Sequence, residues 1–305
     1  MRSARRPAPT RSHRLETCVE FYVATAFTDL ADCLVLAEAA EELGYTGMGV
    51  PDHVVNLHTL STPYPYTEDG SRRWPEFTPW PDPWVLIGAM AARTTRLRFV
   101  TSVYVAALRD PYSVAKAIST AAVIGGGRVA LGVGVGWSKD EFALLGAPFA
   151  QRGARTDEMI TLLRKLWSPG WTEHDGEHFP TPKLEMEPTP PPIPVYAGGW
   201  SEAAYRRAAR NDGWIADLLT TEQVVAGIGR IRELRAEAGR ADEPLTVLAS
   251  LADAFLPEQF AAAAEAGVTA LLTMPWAYYH GRDVTLDQKL DGLQRFAADN
   301  GIAPA

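Results

Sequence analysis

The stretch Gly125-Gly126-Gly127-Arg128-Val129-Ala130-Leu131-Gly132-Val133-Gly134-Val135-Gly136-Trp137 carries the fold decision. Three glycines in a row stop whatever helix precedes them. The run from Arg128 to Val133 shows no polar alternation, so it reads as a strand buried on both faces, which is the signature of a parallel sheet. Glycines follow where the chain leaves that sheet. Working outward in both directions, the same unit of buried strand and amphipathic helix recurs from residue 17 to the end. Strands are expected at Thr17–Ala24, Gly47–Val50, Leu97–Val103, Arg128–Val133, Ile193–Ala197, Gly213–Ala216, 245–250 and 268–274. The helices between them are punctuated by Thr28 or Asp29 as a first cap with Gly44 as its stop, by Asp82 with Pro83, and by Asp110-Pro111. Eight strands alternating with helices predict an α/β fold of the (β/α)8 (TIM) barrel type, with a helix at 285–299 closing the ring.

Two segments stand outside this alternation. Residues 51–80 form a long loop rich in Pro, Tyr and Trp, and ordered loops of that length are commonly functional. Residues 169–192 hold seven prolines and a hairpin-like turn at His174-Asp175-Gly176-Glu177, so they read as an insertion. Residues 1–15 carry five arginines and no apolar stretch to follow them, which reads as a disordered tail rather than a signal peptide; the barrel domain is expected over 16–305.

Bulk properties exclude several function classes. A net charge of −8 argues against a nucleic-acid partner, whose phosphates call for a basic surface. No apolar run reaches the ~18 residues of a membrane span. Cys18 and Cys33 show no metal spacing, and point to a reducing, cytoplasmic setting without disulfides. The pairs His53/His58 and His174/His178 lack a third partner in a recognisable ligand pattern, so no metal is expected and a metal hydrolase is a runner-up only.

In such barrels the chemistry sits at the C-terminal ends of the strands. That rule selects Thr25 and Phe27, then Pro51-Asp52-His53, Ser102-Val103-Tyr104, Gly134-Val135-Gly136-Trp137 and Gly198-Gly199-Trp200-Ser201. His53 brings an imidazole that can relay a proton near neutrality. The glycine pair before a helix can admit an anion to free N–H groups, with Ser201 as cap or phosphate donor, or can be an ordinary tight turn. The glycines at 132, 134 and 136 lack the spacing of a dinucleotide fingerprint, and leave room for a flat ligand or for crowded packing. Tyr64, Tyr66, Trp74, Phe77 and Trp80 either line an apolar pocket or pack the long loop onto its own barrel. The cluster Arg152, Arg155, Asp157, Glu158 and Arg164 reads as a solvated helix face.

At these residues the chain resembles the luciferase-like superfamily, in particular its F420-dependent oxidoreductase branch. The matching stretches are Ala37–Tyr45, Pro51-Asp52-His53, Thr101-Ser102-Val103, Gly126–Trp137, Gln151–Glu158 and the Gly198-Gly199 turn, in order along the chain. The resemblance implies a homodimeric barrel that holds F420, or alternatively FMN, across its mouth. It implies a cis peptide at Ser102-Val103 behind the cofactor ring, and cofactor contacts at Thr101, Gly134, Gly136 and Trp137. It implies a phosphate held by Gly198, Gly199 and Ser201, and His53 as proton carrier with Asp52 orienting it. One departure stands out: sugar-phosphate-oxidising members carry an acidic glutamate after the fourth-strand glycine, where this chain has Trp137. The expectation is therefore hydride transfer between F420 and a small apolar or aromatic organic substrate. An FMN-dependent monooxygenase and a non-catalytic flavin-binding barrel are the alternatives.

Overall fold

The computed structural model describes residues 19–304, so the arginine-rich tail and residues 17 and 18 of the expected first strand lie outside the described residues. Eight parallel strands close into a barrel: β1 (Glu20–Ala24), β2 (Gly47–Val50), β3 (Arg98–Thr101), β4 (Val129–Val133), β7 (Val195–Gly198), β8 (Gly213–Leu219), β9 (Thr246–Leu251) and β10 (Ala270–Thr273). Each pairs with its neighbour in sequence around the ring, and β10 closes on β1 through Glu20↔Ala270. Helices α1 (Leu30–Leu43), α2 (Pro83–Ala91), α3 (Pro111–Ile124), α5 (Arg152–Leu166), α6 (Glu202–Arg210), α7 (Thr221–Glu237), α8 (Pro257–Glu265) and α9 (Leu286–Asn300) connect the strands, with a short α4 (Lys139–Leu144) after β4. The insertion expected at 169–192 contains an antiparallel hairpin, β5 (Thr172–His174) and β6 (Thr181–Leu184).

β3 is shorter than the Leu97–Val103 expected for it. The Ser102–Val103 peptide is cis, as the resemblance implied, and the ladder to β4 stops before it and resumes at Tyr104↔Val133.

Small residues in the strands make room for large ones inside the ring. A Cβ on Gly47 would fall 2.4 Å from the Tyr22 ring, and one on Gly132 would fall 1.8 Å from the Thr101 carbonyl oxygen. The interior is filled by Tyr22, Val100, Ala130, Ile215, Leu248, Ala270 and Leu272, while a larger apolar layer joins the outer strand faces to the helices. Interiors packed this tightly position the strand ends rigidly. Cys33 is buried in the outer layer as a free thiol. Among the described residues no helix is long and apolar enough to cross a membrane.

At the closed end of the barrel, Glu41 on α1 braces the entry to β3. Its carboxylate accepts the N–H groups of Thr95, Arg96 and Leu97 and the Thr95 hydroxyl at 2.6–3.0 Å. Partial burial opposes ionisation, yet these donors outweigh it and lower the carboxyl to about 2. A depressed carboxylate stabilises the fold above its ordinary pKa, and that contribution fades as pH falls toward 2. Glu41→Gln should lower stability by about 1–2 kcal/mol at pH 7, discounted for solvent screening. Urea unfolding from pH 7 down to pH ~3.5 checks this: the gap between wild type and variant should be flat above about pH 5 and narrow below it.

Candidate active site

β2 delivers Pro51-Asp52-His53 to the barrel mouth, and the two functional side chains then part company. The Asp52 side chain is fully buried and receives both terminal nitrogens of Arg109, each at 2.8 Å, together with the Val105 N–H at 2.9 Å. His53 instead sets its Nδ1 3.3 Å from Glu141 Oε2. The expected pairing of Asp52 with His53 is therefore corrected: Asp52 ties the end of β2 to the segment after β3, and Glu141 on α4 faces the imidazole. Glu141 is itself buried, and its other oxygen accepts the N–H groups of Val54 (2.7 Å) and Val55 (3.3 Å). Burial opposes its ionisation, but the hydrogen bond and charge of His53 and those two N–H groups outweigh it and hold the carboxyl below its usual range.

Sequence reasoning missed both Arg109 and Glu141. Ser138-Lys139-Asp140-Glu141 has the spacing of a capping box, in which the glutamate serves its own helix start. Ser138 does cap α4, accepting the Glu141 N–H at 3.2 Å, but the glutamate side chain turns away to the loop after β2. Only the neighbouring loop determines that choice.

The 51–80 loop crosses the mouth. Ser61 donates to Asp140 through its N–H (2.8 Å) and hydroxyl (2.7 Å). Tyr66 stacks on Trp200 at 6.0 Å, and Arg73 reaches Asp217 at 2.9 Å while donating to the Tyr64 hydroxyl at 2.8 Å. Asp217 belongs to β8, four places round the ring from β2 and hence opposite it. A register shift in β8 between Ala216 and Leu219 accompanies its outward turn. Under this strap the His53 ring lies among Trp80 (4.9 Å), Trp74 (5.1 Å) and Trp137 (6.0 Å). Tyr64 packs on Trp74 and Trp137, and Phe27 on Trp74 and Trp80. The loop aromatics thus pack the loop onto the barrel and wall the imidazole at once. Phe77 is the exception, 96% exposed.

The remaining expected residues separate into two groups. Thr101 is corrected: it is fully buried in the barrel wall, and its hydroxyl is spent on Gly132, donating to the carbonyl (2.7 Å) and accepting the N–H (3.0 Å). Gly134 and Gly198 flank Val103, where an added Cβ would come within 2.5 and 2.6 Å of its methyl groups, so the bulge is seated between β4 and β7. Gly136 takes a positive φ of 77°, and its carbonyl accepts from Arg152 at 3.0 Å. Gly199, at φ 107°, makes the turn into α6, and its carbonyl accepts the Trp214 indole N–H at 2.7 Å. Ser201 caps α6 through the Ala204 N–H at 3.2 Å, and the N–H groups that open the helix have no partner within it.

The charged cluster on α5 is corrected as well. Besides Arg152, Asp157 pairs with Arg207 on α6 at 2.7 Å, and Glu158 accepts the N–H groups of His178 and Phe179 in the insertion. This face fastens neighbouring elements as well as meeting solvent, since Arg164 and Asp157 keep exposed surface. Among the described residues no group of three or more His, Cys, Asp or Glu could hold a metal ion.

With this geometry in hand, comparison with known proteins is direct. The family model for luciferase-like monooxygenases matches residues 11–299. An uncharacterised protein of Mycobacterium tuberculosis is 37% identical over 93% of this chain and 99% of its own length. An F420-dependent glucose-6-phosphate dehydrogenase of Nakamurella multipartita is 35% identical over 62% of this chain and 51% of its own. Among solved structures, a monooxygenase from Streptomyces bottropensis and the coenzyme F420-dependent tetrahydromethanopterin reductase from Methanopyrus kandleri each superpose with a TM-score of 0.70. Each match covers 92% of this chain and 98% of theirs, at 19% and 15% identity, and shows the shared fold. The closed barrel and the span of the family match together show that the chain belongs to the luciferase-like monooxygenase family.

Proposed function

We propose that this protein is an F420-dependent oxidoreductase acting on a small apolar or aromatic organic substrate. The observation that carries the reading is the His53 imidazole, walled by three tryptophans and backed by a buried carboxylate. Aromatic surroundings of this kind would favour a flat apolar molecule and offer it one proton-handling group. When bound, the deazaflavin supplies the hydride chemistry. Three features of this chain fit it: the Val103 bulge seated between Gly134 and Gly198, the tight Gly199 turn, and the Ser201-capped start of α6. Gly198, Gly199 and Ser201 would hold its phosphate, and the bulge would back its ring.

His53 gives or takes the proton that accompanies hydride movement. Tyr104, the phenol next to the bulge, is unsuited: burial pushes it up well beyond the neutral range, against the pull of Arg109 over its ring. Burial likewise pushes Tyr64 up to about 12. Trp137, packed against Tyr64, stands where sugar-phosphate-oxidising members carry an acid, which favours an apolar substrate over a sugar phosphate.

Two measurements test this. His53→Gln keeps most of the ring's volume, so the melting midpoint should stay within a few degrees while the single-turnover rate falls about 10²–10⁴-fold. A stable variant with wild-type turnover would remove His53 from the reaction. Gly199 is needed by the turn itself, so the phosphate is better tested at Ser201, where glycine retains most of the capping. Ser201→Gly should weaken F420 binding by about 10- to 100-fold, read by fluorescence titration, since one hydrogen bond to a charged group is worth about 1.5–3 kcal/mol. Unchanged affinity would put the phosphate elsewhere, and tighter binding of FMN than of F420 by wild type would turn the reading to a flavin enzyme.

A further inference from the structure

We infer that Glu141 decides which nitrogen of His53 carries the ring proton: it holds the proton on Nδ1 and leaves Nε2 as the basic atom. That Nε2 then handles the substrate's proton rests on the function proposed above; the tautomer itself does not.

The argument is one of hydrogen-bond accounting. Val54 and Val55 present backbone N–H groups, which can only donate, to Oε1 of Glu141 at 2.7 and 3.3 Å. The second oxygen faces His53 Nδ1 at 3.3 Å. An ionised carboxylate only accepts, so the donor in this last contact has to be the ring. The carboxyl is held ionised against its burial by the same three donors. A neutral imidazole carries a single N–H, and with that proton on Nδ1 the lone pair stays on Nε2. An orienting carboxylate behind an imidazole has the same effect in hydrolytic triads, where exchanging it for its amide costs about 10⁴-fold in rate through the wrong tautomer. Here the carboxylate comes from α4, after β4, and the imidazole from the loop after β2, so the pair exists only in the closed barrel.

The amide variant gives a sharp test. In Glu141→Gln the two backbone N–H groups claim the single carbonyl oxygen, and the NH2 group turns to Nδ1. Nδ1 then has to accept, which moves the ring proton to Nε2 with almost no change of shape. Long-range proton–nitrogen NMR on full-length, 15N-histidine-labelled protein, at a pH where the rings are neutral, reads this directly. The sequence holds six histidines, and the His53 signals are identified by their loss in His53→Gln. Wild type should show a pyrrole-type Nδ1 and a pyridine-type Nε2, and Glu141→Gln the reverse. A wild-type ring protonated on Nε2 overturns the inference without recourse to the variant, as does an unchanged tautomer in a folded Glu141→Gln protein. In single turnover with F420, the variant should lose at least about 100-fold in rate with cofactor affinity within twofold. A reversed tautomer with an unchanged rate would uphold the control of the ring by Glu141 and overturn the proton role of His53.

Discussion

The ion pair between Asp52 and Arg109 holds the two halves of the site in one frame. Asp52 lies at the end of β2 with no exposed side-chain surface, and Arg109 lies beyond the bulge that follows β3. Taking a carboxylate and a guanidinium out of water is costly, and the mutual attraction offsets that cost only when the geometry is good and the remaining lone pairs are filled. Both conditions are met here: two parallel contacts at 2.8 Å, the Val105 N–H on the same carboxylate, and Arg109 lying 4.4 Å over the Tyr104 ring. Losing Arg109 would strand the buried Asp52 charge, a loss of about 3–5 kcal/mol in comparable pairs. The consequence for function is mechanical. The loop that carries His53 and the segment that carries Val103 are set by one shared contact, so neither moves without the other.

From that anchor the 51–80 loop is fastened at successive points round the rim. Asp140 and Glu141 hold it after β4, Trp200 after β7 and Asp217 on β8. These ties differ in strength. Glu141 is buried and satisfies backbone donors, whereas the Arg73–Asp217 pair is half open to solvent and contributes little against salt and side-chain entropy. The loop is therefore firmest beside His53 and loosest across the mouth. That gradient would suit the proposed function, in which His53 stays fixed while a flat molecule enters beneath the strap.

Much of this was legible in the residues. The unbroken apolar strands, glycine stops and proline-led helix starts settled the barrel and its order, because period and punctuation are local properties of the chain. The positions at the strand ends followed from the fold, so His53, Gly199 and Ser201 could be singled out without knowledge of any contact. Partnerships were another matter. Asp52 beside His53 in sequence invited a pairing, and Glu141 was not singled out at all; both carboxylates found partners far along the chain. Thr101 and the α5 charges were likewise assigned to ligand and solvent, and turned out to serve Gly132, Gly136, α6 and the insertion.

By itself, then, the sequence determined the closed (β/α)8 architecture and which residues arrive at its mouth, since hydrophobic period, chain stops and strand direction act over a few residues at a time. Tertiary structure alone decided which carboxylate faces the imidazole, which one is spent on Arg109, and how the long loop lies over the ring. Those outcomes depend on donors from the loop after β2 and the segment after β3 meeting carboxylates from the end of β2 and from α4, and a buried acceptor takes whatever donors closure of the barrel places within reach.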